Sequence, residues 1–184
     1  MLSNYLKEKT ATYHTEIESK LESNKLFDGT FSDENYYKML QVNHLFLKVY
    51  EQNIVHYLSD KDIENLASTN FQKLPLIEKD LIELNLAQLN TNTSVTINNR
   101  AEAFGALYVI EGSMLGGNVI AKTLKKYPNL EHKNFNYFGH YGENLGVSWK
   151  AFVHYINEEF VTEDQQNQVL NGAKKAYEIL ISFA

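Results

Sequence analysis

Ala101-Glu102-Ala103-Phe104-Gly105-Ala106-Leu107-Tyr108-Val109-Ile110-Glu111-Gly112-Ser113-Met114-Leu115-Gly116-Gly117-Asn118 is the stretch on which the fold turns. It lies in an apolar segment predicted to be helical from about Arg100 to Tyr127, ended by Pro128, which cannot continue a helix. Four of its positions are glycine, and each glycine inside a helix costs roughly 1 kcal/mol relative to alanine. At about 100° per residue, Gly105, Gly112 and Gly116 share a narrow stripe, so this helix offers a face without side chains. The glycines from Gly112 to Gly117 also weaken the hydrogen-bond ladder and allow a kink. Two readings of the bare face stand open: close helix packing of the Gly-x-x-x-Gly kind, or a flat ligand lying on the backbone. They differ in whether the rest of the chain supplies a group for the ligand's other side.

Outward from this segment, apolar residues recur at three- and four-residue spacing along most of the chain, and proline occurs only at Pro75 and Pro128. The pattern predicts an all-α, single-domain protein spanning 1–184. A first helix is expected from Ser3 to Ser23, closed by a turn at Asp28-Gly29-Thr30, and a second from Ser32 or Asp33 to Leu58. Asp60 to Ala67 predicts a short helix, and Leu74 to Leu89 another with Pro75 in its first turn. Asn90 to Asn99 reads as a polar connection and 128–142 as irregular. Two last helices are expected over Glu143–Phe160 and Glu163–Phe183, the second opened by Thr162 and Gln165 at capping-box spacing.

Composition excludes several chemistries. The 184 residues contain no cysteine, which removes disulfides, thiolate zinc sites, cysteine-held iron–sulfur clusters and cysteine nucleophiles. A net charge of −6 gives no reason to expect nucleic acid as a partner. The N-terminus mixes charged and apolar residues without a signal-like core, and the longest uncharged apolar run, Ala103 to Ile110, is far shorter than a bilayer span. The expectation is a cytoplasmic protein without a membrane segment. No Glu-x-x-His, His-Glu-x-x-His, Gly-x-Ser-x-Gly, P-loop or dinucleotide fingerprint occurs.

Among six histidines, His14 stands out. It falls on the face of the first helix made by Leu6, Thr10, Ile17 and Leu21, which predicts that it points inward, either as a core residue or as a ligand. Lys7 lies two turns earlier on nearly the same face, roughly 10 Å along the axis. That distance suits a macrocycle whose centre is bound by imidazole and whose carboxylated edge meets an ammonium group. His44, His56, His132 and His140 show no ligand spacing, so surface or hydrogen-bonding roles are expected for them.

Together, Lys7 and Thr10 to His14 with Glu18, the stretch Ala106 to Gly117, and Phe138-Gly139-His140-Tyr141-Gly142 followed by Trp149 and Phe152 resemble the heme oxygenase family, specifically its bacterial biliverdin-forming branch. The resemblance implies a heme oxygenase-like helical fold with His14 as the proximal iron ligand. On the distal side it implies Gly112, Ser113, Gly116 and Gly117, whose backbone would touch the porphyrin and crowd bound O₂ toward a meso carbon. Lys7, Lys150 and His154 would meet the propionates, His154 standing where an arginine is usual, although solvated surface is the alternative for the lysines. Tyr108, Phe138, Tyr141 and Trp149 are candidates to line the pocket. Ser113 replaces the distal aspartate of the animal-type enzymes. Heme would be both cofactor and substrate, with biliverdin, CO and ferrous iron as products. Electrons would come from a separate ferredoxin, flavodoxin or reductase. A heme-binding carrier or sensor is the alternative, and a thiaminase-type enzyme of related fold lacks the cysteine such enzymes use.

Overall fold

Side-chain caps fix where the long helices begin. In the computed structural model, which describes residues 1–66 and 71–184, helix α3 (Asp33–Val55) opens with a capping box. Ser32 Oγ accepts from the Asn35 N–H, and the Ser32 N–H donates to Asn35 Oδ1. Helix α8 (Glu163–Phe183) opens in the same way on Thr162 and Gln165, and α6 (Arg100–Leu124) on Asn99, whose Oδ1 accepts from the Glu102 N–H. Helices α1 (Leu2–Lys20), α2 (Lys25–Asp28), α4 (Asp60–Leu66), α5 (Leu74–Glu83) and α7 (Leu145–Glu159) complete the set, with a 3₁₀ turn at Gly142–Asn144 before α7. No strand occurs among the described residues. The expected end of the short helix at Ala67 lies outside the described residues.

Several helices stop earlier than periodicity predicts. Glu22 and Asn85 take left-handed φ values of 52° and 55°, which end α1 near Lys20 and α5 near Glu83, although apolar spacing continues beyond. Between α1 and the turn at Gly29 the chain adds the short helix α2, which helical periodicity does not show. The α5 N-terminus has no side-chain cap of its own. Glu51, one helix away on α3, accepts hydrogen bonds from the backbone N–H groups of Lys73 and Leu74.

Helix α6 is the core of the molecule. Every residue from Ala101 to Glu111 is buried, and the face toward α8 explains its first glycine. A Cβ at Gly105 would stand 2.1 Å from the Val169 carbonyl oxygen, and one at Gly172 would stand 2.2 Å from the Glu102 carbonyl oxygen. The two helices therefore cross backbone against backbone at a reciprocal glycine pair, and close packing is the correct reading at Gly105. By length and hydropathy α6 would also span a membrane, but 67% of that window is buried in the protein, so packing against α8, α3 and α7 accounts for its apolarity. Helix α1 lies on α8 and α7, which leaves α1 and the second half of α6 facing each other across a gap.

Candidate functional site

That gap is a two-lobed cleft. The inner lobe, a cavity of about 130 Å³, runs from His14, Ile17 and Leu21 of α1 to Val109, Gly112, Ser113 and Gly116 of α6, closed behind by Met39, Asn43 and Phe138. The outer lobe, about 390 Å³, is lined by Lys7, Thr10, Tyr108, Leu115 and Trp149. His14, Gly112 and Tyr177 border both, so the cleft is continuous along the α1 face that the sequence singles out.

Here the α6 glycines part company. A Cβ at Gly116 would meet nothing within 4 Å, and one at Gly112 would meet only the Trp149 ring at 3.9 Å. Neither serves helix packing. They keep one wall of the cleft free of side chains, and a flat ligand is the physical reading that suits this wall. Gly117, expected beside them, does not line the cleft. A Cβ there would come within 2.6 Å of the Phe138 ring, so Gly117 is the seat for Phe138. Asp80 holds that segment in place, its carboxylate accepting from the Asn136 and Tyr137 N–H groups at 2.7 and 2.9 Å.

His14 does not point into the core as predicted. Its side chain is 57% exposed, because the face it shares with Leu6 and Ile17 emerges from the α8 contact at the cleft. The ring is nonetheless oriented: Nδ1 lies 3.2 Å from Glu18 Oε2, one helical turn on, which leaves Nε2 as the nitrogen available to a ligand. Across from it Ser113 Oγ donates to the Ile110 carbonyl at 2.7 Å. Behind the inner lobe, the Tyr137 hydroxyl donates to Asn43 Oδ1 at 3.2 Å. Burial pushes the Tyr137 phenol well above its ordinary pKa, so it stays protonated. Tyr108 packs on Trp149 with ring centroids 5.7 Å apart at the outer lobe, near Lys7.

Three expected site residues are elsewhere. Lys150 is exposed on α7 outside the cleft lining, and His154, 72% exposed, faces Glu158 one turn along at 3.5 Å. Their solvent-facing positions on α7 follow from Trp149 and Phe152 taking the inner faces. Tyr141 turns away into a buried cluster with Lys73 and Glu111, in which Lys73 Nζ lies 2.5 Å from Glu111 and the Tyr141 hydroxyl donates to the other Glu111 oxygen at 2.6 Å. This cluster anchors α6 one residue before Gly112. Asn43, Tyr137, Tyr177 and Lys73 gave no signal in the sequence, because each acts through partners distant along the chain. His44 also departs from expectation. It is fully buried on α3, and neither ring nitrogen has a hydrogen-bond partner. Among the described residues no group of three or more His, Asp or Glu side chains stands ready to hold a metal ion.

Residues 1–183 match the sequence profile of the family described as heme oxygenase. The chain belongs to the heme oxygenase family. The chain is 26% identical over 156 residues to the heme oxygenase of Xanthomonas campestris pv. campestris (strain 8004), a match covering 83% of this chain and 90% of that one. Its fold is similar to that in the crystal structures of the NO- and CO-bound heme oxygenase from Neisseria meningitidis. There the TM-score is 0.75 and the identity 22%, with 100% of this chain and 89% of the other covered. The family's activity is heme degradation, and the all-α fold expected from sequence is the fold observed.

Proposed function

We propose that this chain binds heme in the α1–α6 cleft and cleaves it with O₂ to biliverdin, CO and ferrous iron, using electrons from a separate ferredoxin, flavodoxin or reductase. The observation that carries this reading is the pairing of an oriented imidazole, His14 held by Glu18, with an opposing helix face kept bare by Gly112 and Gly116. The cleft residues fit the group: Nε2 of His14 would take the iron, Lys7 would meet the carboxylated edge, and Tyr108 and Trp149 supply apolar walls. Bound heme supplies the redox chemistry.

The protein's own contribution is positioning and proton supply. Gly112 and Gly116 leave the α6 backbone open to close approach by a flat ring, so a side chain at either position would narrow the cleft from that wall. Ser113 and Asn43 present hydrogen-bonding groups on that side. The Tyr137 O–H behind them holds a proton at neutral pH in place of the absent distal carboxylate. Lys150 and His154 have no part in this account.

The test is to add hemin to the purified protein, then ascorbate or a ferredoxin reducing system under air. Appearance and then loss of the Soret band, with growth of bilin absorption, supports the oxygenase. A stable ferric or oxy spectrum would identify a carrier or sensor, and absence of a Soret band would remove heme altogether.

A further inference from the structure

His44 sits where α3 meets α5, for no reason that the core or the cleft supplies. Its side chain is 0% exposed, and among the described residues neither ring nitrogen finds a hydrogen-bond partner. An apolar side chain would fill the place without that cost. His44 shares a helix row with Glu51, seven residues on, which accepts from the α5 N-terminus. Two charged groups face the ring. Glu78 of α5, itself 34% exposed, brings Oε1 to 3.8 Å from Nε2, just beyond hydrogen-bond reach, and Lys48 lies one turn along α3. On the other helices packed against α3, Glu102 and Glu111 of α6 pair with Lys175 and Lys73, and Glu178 of α8 accepts from Tyr13.

A closed set of bonds ties this contact to the cleft. Asn43, next to His44, accepts from the Tyr137 hydroxyl, and Asp80, two residues from Glu78, accepts from the Asn136 and Tyr137 N–H groups. Segment 136–138 is thus strung between α3 and α5, and its Phe138 closes the inner lobe against Gly117. We propose that His44 and Glu78 form a pH-operated latch: protonation of His44 loosens α5 from α3, frees segment 136–138 and opens the inner lobe. The sign follows from burial. Loss of water around the ring, and Lys48 beside it, push the His44 pKa below its ordinary value, while Glu78 opposes the shift. With α5 lifted, the ring regains its ordinary pKa of about 6.5, so the open form binds the proton more tightly. Its share therefore rises as pH falls below about 6.5, by at most about tenfold per pH unit. Burial pushes Glu51 and Asp80 the other way, above the ordinary carboxylate range, so their protonation favours the closed form and cannot cause acid opening. That the latch governs heme retention rests on the heme-degrading reading; the latch itself does not.

The test is amide hydrogen exchange of the full chain at about pH 7.5 and about pH 5.5, read by mass spectrometry and corrected for intrinsic exchange rates. In wild-type protein the protection of α5 and 134–138 is expected to fall by about five- to tenfold on acidification while that of α8 holds, and in His44→Leu to fall by less than about twofold. Glu78→Gln, at a partly exposed position, keeps the test decisive should His44→Leu not fold. It removes the group that eases protonation, so its protection is expected to fall further than that of wild type. His140, also pushed down by burial, is common to all three proteins and cancels. Equal loss in wild type and His44→Leu, a loss in Glu78→Gln no larger than in wild type, or a loss spread evenly over α8 would overturn the latch. Hemin transfer to apomyoglobin separates the two levels: acidification is expected to speed it several-fold more in wild type than in His44→Leu. Without a Soret band the heme reading fails and exchange alone decides the latch; with one, transfer rates that ignore His44 would overturn its role at the cleft.

Discussion

Single atoms decide what each α6 glycine is for. The sequence shows three glycines on one stripe but cannot say which meet a helix and which meet a ligand, because the difference lies in Gly172, 67 residues beyond Gly105. The contrast gives a paired prediction. Gly105→Ala forces a methyl group into the α8 backbone and is expected to cost about 3 kcal/mol or more in urea denaturation. Gly116→Ala meets open space and is expected to leave stability unchanged or raise it by up to about 1 kcal/mol, while slowing heme turnover. Equal stability losses at both positions would contradict the assignment. Tyr137→Phe removes the protonated hydroxyl behind Asn43 and Ser113. It is expected to cost about 1 kcal/mol and to move the pH profile of turnover, which a purely structural loss would not do.

At the scale of elements, periodicity and the Thr162–Gln165 cap were readable because they are local, as was the polar run from Asn90 to Asn99, whose last residue the structure shows capping α6. Contacts that fasten one element to another were not readable. Arg100 at the start of α6 bonds Asp62 of α4 and Glu159 of α7, and Tyr155 of α7 donates to the same Asp62 at 2.7 Å. Burial works against the charged form of Asp62, yet the hydrogen bonds from Arg100, Ser59 and Tyr155 outweigh it and hold the carboxyl far below its ordinary pKa. Glu159 is lowered as well, chiefly by Lys61 and Arg100. A carboxylate whose pKa is depressed on folding stabilises the protein above the ordinary carboxylate range and loses that contribution as pH falls. Asp62→Asn is therefore expected to destabilise by about 3 kcal/mol at pH 7, with the difference from wild type shrinking as pH drops below about 4. A deficit that persists unchanged in acid denaturation curves would refute the ion-pair origin.

For the molecule as a whole, the buried Lys73–Glu111–Tyr141 cluster joins the segment before α5, the middle of α6 and the loop after Phe138. Burial pushes the Lys73 ammonium below its ordinary pKa while Glu111 opposes the shift, so the pair is worth more intact than as the sum of its parts. Lys73→Met alone is expected to cost about 3 kcal/mol in chemical denaturation, and Lys73→Met with Glu111→Leu clearly less. The sequence carried the fold class and the two opposing faces of the cleft, since both rest on helical periodicity. It placed His14 too deep and set Gly117 on the cleft wall where it instead seats Phe138, because position on a helix face does not say which neighbour covers that face. The central claim is that the cleft between His14 and the Gly112–Gly116 wall binds heme and opens its ring. Carbon monoxide released into the headspace during aerobic, ascorbate-driven reaction with hemin tests it most directly. The account predicts about one CO per heme consumed by wild-type protein and none above background for His14→Ala. Equal CO release by both proteins would contradict the His14 assignment, and loss of the Soret band without any CO would contradict ring opening.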